Sequence, residues 1–362
     1  MSDFEQIEEA FRSGGSAAIF DLLIRTAREG ADHRLLFQVS ILRVRHRLGL
    51  PLIETEAVPE LTDQQRPVYE TAFREGARAA GELCLAQGDI PGAWPYFKAI
   101  GEHAPIEAAI ENVSGGDNID RVIEIAFQEG VNPRKGFELI LEHHGICSAI
   151  TWFSANRDPR SRRQCLRLLV RALHGEIAGA LKRTIASAEG AEPATARIAE
   201  LIAGRDWLFE NMSTYTDATH LTSILRMAPE LEDDESLRLA LEMAEYGQRL
   251  DAMYHFRGEP PFDDTYHDAA IYLKALLGDD VDAAVAHFRG KVAHQGDAYA
   301  EVLIDLLSRR ERYAEAIQLS IDYLPDATLQ LCQQAGDFAT LKDRARDRGD
   351  RAGFAAGIIQ AR

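Results

Sequence analysis

At 362 residues the chain is longer than one compact core usually grows, so two domains or one elongated array are expected. Its 46% hydrophobic and 8% aromatic content, rich in Ala, Leu, Glu and Arg and poor in β-branched runs, excludes a disordered chain and favours helices. A net charge of −18 sets a repulsive field toward nucleic acid and anionic membranes, which excludes both as general partners.

The start, MSDFEQIEEAF, lacks the basic, apolar and small-residue succession of a signal peptide, and no apolar run is long enough to span a bilayer. The expected location is the cytoplasm. Cys84, Cys147, Cys165 and Cys332 form no CxxC pair, so they read as buried small hydrophobes, with Cys147 the one placed beside other reactive side chains.

Apolar residues recur at three and four positions along nearly the whole chain. From Ser16 to Glu29, Ile19, Phe20, Leu22, Leu23 and Ile24 make a broad apolar face, and Gly30 stops the helix. Residues 50 to 62 carry two prolines and no helical period, so they read as a long crossover. Further on, Gly-Asp at 88 and 89, Gly-Gly-Asp-Asn at 115 to 118, Asn-Pro at 132 and 133 and Asp-Pro at 158 and 159 each end one helix or begin another. The pattern predicts about eighteen helices and no strand. Residues 188 to 194 read as a linker or insertion between a half at 1–187 and a half at 195–362.

From Arg74 to Glu107, Gly81 is followed by Ala93 twelve residues on, Phe97 four later, Ile100 three later and Pro105 five later. Gly81 and Ala93 are small where two antiparallel helices would approach, Phe97 would fill the gap to the next pair and Pro105 would stop the second helix. The spacing resembles the tetratricopeptide repeat. Weaker copies carry Gly278, Ala284 and Phe288, and then Ala316 and Pro325 with Ser320 where an aromatic is expected. The resemblance implies an all-α fold of the α-α superhelix type, a TPR-like helical-repeat solenoid. Trp94, Tyr96 and Phe97 fall at packing positions of that repeat and read as core.

Five places in the chain exceed plain patterning, and that aromatic run is one of them. His143 and His144 precede Gly145 and Cys147; imidazoles in a last turn suit the negative helix end, or one of them serves as base or ligand. Arg157, Arg160, Arg162, Arg163, Arg167 and Arg171 read as a face paired with acidic helices, with docking of a phosphate or carboxylate as the other reading. Trp207 through Tyr215 leads to Asp217, a helix cap that would set Thr219 and His220 in a first turn. Residues 253 to 268 form a long polar and aromatic loop holding Tyr254, Arg257, Tyr266, His267 and Asp268.

Two functions follow as expectations. One is a binding scaffold holding a protein, peptide or small polar ligand on a concave surface, with Trp207, Tyr215, Asp217, Tyr254, Arg257 and Tyr266 as ligand-binding residues. An acidic groove prefers a basic or amphipathic partner. The other is a metal-dependent hydrolase or isomerase of a small polar substrate. In it His144, His220, His267 and Asp268 would hold one divalent transition metal, and His144 and His220 would be catalytic. The gaps of 76 and 47 residues between those histidines are not a local metal-ligand spacing, so the site would depend on the fold.

Overall fold

The structure, a computed structural model, describes residues 2–53, 61–210 and 217–361. The chain is 77% helical, and among the described residues there is no strand. Contacts divide it into two compact units, Met1–His143 and His144–Arg362.

The first unit runs through α1 (Asp3–Glu29), α2 (His33–Arg47), α3 (Gln65–Ala86), α4 (Ile90–Ile100), α5 (Ala104–Glu111) and α6 (Ile119–Ile123), which continues into a π-helical turn at Glu124–Gln128. The division falls within α7 (Pro133–Ala155), beside Gly145, whose φ of 75° breaks the helix that the sequence reading closed there. The second unit holds α8 (Pro159–Glu189), α9 (Ile198–Ile202), α10 (Ala218–Leu225), α11 (Asp234–Gln248), α12 (Thr265–Leu277), α13 (Val281–Gln295), α14 (Asp297–Arg309), α15 (Tyr313–Tyr323), α16 (Pro325–Ala335), α17 (Phe338–Asp347) and α18 (Arg351–Gln360). Consecutive helices pack on one another, as α2 on α3, α3 on α4 and α14 through α18 do, while α8 also packs on α11 and α12 on α14. None of the described helices is long and apolar enough to cross a membrane.

The punctuation works through local chemistry. Asp89, Asp158, Asp217, Asp233 and Asp264 each cap a helix by accepting a backbone N–H from its first turn. Gly101, Gly190 and Gly278 end helices in the left-handed conformation that a side chain would strain.

The repeat-like positions are packing positions. Phe97 and Ala93 are fully buried, and a Cβ on Gly81 would stand 2.6 Å from the Phe97 ring, so α3 and α4 close only over a glycine. Pro105 differs from expectation: Gly101 already ends α4, and the proline sits in the first turn of α5, where its missing N–H costs nothing. Ala284 and Phe288 are buried in α13 and Ala316 in α15. Ser320, in place of an aromatic, is buried and bonded at 2.9 Å to the Thr328 hydroxyl of α16, a polar pair standing where a ring would plug the gap.

Candidate functional site

A polar centre forms within the second unit where the loop before α12 meets α13. Asp268 lies in the first turn of α12 with its side chain fully buried. His287 Nε2 donates to its Oδ1 at 2.8 Å; Lys291 Nζ and the Asp264 N–H donate to its Oδ2 at 2.7 and 3.1 Å. His287 and Lys291 stand four apart on α13, which puts both on one face. Lys291 also pairs with Asp263 and sits 5.4 Å over the buried Tyr299 ring. Burial pushes the Asp263 carboxyl up, but the ion pair with Lys291 outweighs it and holds the group at about 2. Burial likewise opposes the charge on Lys291, and its two carboxylates raise it above the ordinary lysine value. A buried carboxylate bonded to one imidazole nitrogen fixes the ring and leaves the other nitrogen for a proton or a ligand.

The sequence-predicted residues are spread around this centre. Tyr266 is 2% exposed; its hydroxyl donates to the Tyr254 carbonyl at 3.3 Å, its ring packs on His255, and burial pushes it up to about 12. Arg257 pairs its backbone with Asp264 in a single antiparallel bridge. His267 lies 5.7 Å, ring to ring, from His287. Asp217 accepts the Thr219 and His220 N–H groups, and its second oxygen lies 3.4 Å from His220 Nδ1. Trp207 is half-buried in a 3₁₀ turn, Asp206–Phe209. His144 is exposed on α7, and Tyr215 falls outside the described residues. Among the described residues, His144, His220, His267 and Asp268 do not converge as a metal-ligand group; the three side chains whose ligand atoms lie within 4.8 Å of one another are His33, Cys84 and Asp89.

Four arginines of the run, Arg162, Arg163, Arg167 and Arg171, are paired. Arg162 grips Glu230 through two bonds of 2.9 and 2.6 Å, and Arg163, Arg167 and Arg171 reach Glu232, Asp233 and Glu235 at 2.7, 2.9 and 2.8 Å. These pairs tie α8 to the segment that leads into α11. The first two of them, Arg162–Glu230 and Arg163–Glu232, also form one wall of a groove of about 820 Å³ whose other wall is α14 and α16. Ile304, Ala327 and Leu331 give it an apolar floor, and Glu301 and Asp305 give it acid. Arg309 donates to the Pro229 and Leu231 carbonyls at 3.3 and 2.6 Å and so closes that end. Burial pushes the Asp305 carboxyl up, ahead of the Tyr272 hydroxyl and Arg309, which oppose the shift.

Sequence reasoning missed His287, Lys291, Asp305 and Arg309. The one local signal was the four-residue spacing within each pair, which is common on any solvated helix. No protein-family model, curated protein or solved structure matches the chain.

Proposed function

We propose that this protein is a helical-repeat scaffold of the tetratricopeptide-like, superhelical kind, acting in the cytoplasm and binding a basic, amphipathic peptide segment of a partner protein. The groove of about 820 Å³ between the α8 end and α14–α16 carries the reading. Its arginines are already matched to Glu230, Glu232 and two backbone carbonyls, and Asp305 is held by Arg309 at 3.6 Å and by the Tyr272 hydroxyl, so the charge left to a ligand is that of Glu301. A helix with Lys or Arg on one side and aliphatic side chains on the other satisfies both the acid and the apolar floor.

Fluorescence anisotropy with labelled amphipathic peptides tests it. Basic peptides bind and acidic ones do not, added salt weakens binding, Ala327→Trp blocks it by filling the groove, and Glu301→Lys weakens it. Equal binding by parent and both variants defeats the reading.

A second reading, a metal-dependent hydrolase or isomerase of a small polar substrate, draws on the Asp268–His287 pair, since buried carboxylates commonly hold metal-ligating imidazoles. Cobalt bound there would show nitrogen and oxygen ligation without a thiolate band, and His287→Ala would abolish it.

A further inference from the structure

Three successive helices of the first unit bring their ends together: His33 opens α2, Cys84 lies in the last turn of α3, and Asp89 is the N-cap of α4. A ring nitrogen, the sulfur and a carboxylate oxygen from these residues all lie within 4.8 Å of one another. Each residue has a local task as well. Asp89 Oδ1 accepts the Gly92 N–H at 2.9 Å, His33 Nδ1 shares a 3.0 Å hydrogen bond with the Tyr96 hydroxyl, and Cys84 is a fully buried small side chain. Those tasks leave the second oxygen of Asp89 and the sulfur unused, and they give no reason for an imidazole, a thiol and a carboxylate to share one place.

We propose that His33, Cys84 and Asp89 form a site for zinc or a similar divalent transition metal ion, with water at the fourth position. Zinc bonds of about 2.3 Å to sulfur and about 2.0–2.2 Å to nitrogen and oxygen set neighbouring ligand atoms roughly 3.3–3.7 Å apart in a tetrahedron. A cluster already drawn within 4.8 Å closes to that geometry by side-chain rotation. The mixed soft and borderline donor set selects zinc or cobalt over magnesium or calcium, which take oxygen alone. Tyr96, bonded to the His33 ring, orients the imidazole from outside the coordination shell. The Cys84 sulfur would lose its proton as the metal–sulfur bond forms. The bound ion would pin α2, α3 and α4 to one another, whatever the second unit binds.

The test is addition of cobalt(II) to the chelator-treated full chain. The expected result is one equivalent bound, with a thiolate-to-cobalt charge-transfer band in the near ultraviolet and tetrahedral bands in the visible. Cys84→Ser should remove the charge-transfer band, while Cys147→Ser, which alters an exposed thiol elsewhere, should keep it. Asp89→Asn retains the helix cap and so guards against a folding artefact; it should weaken cobalt binding by at least the ~10–100-fold typical of disturbed outer-shell partners. Circular dichroism of each variant reports that the helices persist. Absence of the band in the parent, its survival in Cys84→Ser, or unchanged affinity in Asp89→Asn overturns the proposal.

Discussion

The α3–α4 pair and the α12–α13 pair share the same repeat-like outline but are held by different means. In α3–α4 the contact is one of shape: Gly81 lets the edge of the Phe97 ring come close against the helix, and Ala93 is fully buried. In α12–α13 the buried Ala284 and Phe288 do similar work, yet the helices also enclose Asp268 between His287 and Lys291. A buried carboxylate is tolerable only while its oxygens are bonded, so the second pair depends on charge where the first depends on fit. The same packing frame therefore closes its helix contact by fit in one place and around a bonded carboxylate in the other.

The largest break in that comparison comes from Asp268→Ala. It strands His287 and leaves Lys291 with Asp263 alone, and removal of one partner from a buried pair typically costs about 3–5 kcal/mol. Urea denaturation followed by circular dichroism measures the loss. Acid sharpens the comparison next, through Glu242 of α11. Burial pushes this carboxyl up, but bonds from His174 at 3.0 Å, Arg197 at 2.9 Å and the Ile198 N–H at 2.7 Å prevail and hold it at about 2. Its folded pKa lies below the unfolded value of 4.5, so the stabilisation is complete above that value and is lost as the pH falls through it toward about 2. The size is on the order of 3 kcal/mol. Denaturation midpoints between neutral pH and the acid limb should fall steeply for the parent. Glu242→Gln should start lower and fall less.

Much of the frame was legible because it is local. Asp217 and Asp264 announce their helices by residue type, and the spacing of Gly81, Ala93 and Phe97 marks a close helix contact before any coordinates exist. The pairing of the arginine run was legible in kind, since an acidic chain offers carboxylates to every exposed guanidinium, but not in its partners, which lie more than sixty residues away. The polar sites were harder to see for the same reason. Asp268 was visible as an oddity, whereas His287 and Lys291 sat on an ordinary amphipathic helix and acquired meaning only when α13 folded onto it. Cys84 and Asp89 read as a core thiol and as helix punctuation, and His33 carried no signal of its own. Their meeting is set by the register of α2 and α4 on α3, which no spacing in the sequence states.

The smallest effects separate fit from mere helix propensity. An added methyl at Gly81 would stand 2.6 Å from Phe97 Cε2, and that ring is fully buried with no room to retreat. Gly81→Ala should therefore cost about 1–3 kcal/mol through overpacking, although alanine is the better helix former. Gly175, exposed on α8, has nothing within 4 Å of the position its Cβ would take. There the same substitution should stabilise by about 0.5–1 kcal/mol, because only the backbone entropy of glycine is removed. Thermal melts of the two variants should move in opposite directions. Equal shifts would mean that the α3–α4 contact yields to a methyl group, and the contrast between a pair held by shape and a pair held by charge would then fail on its shape side.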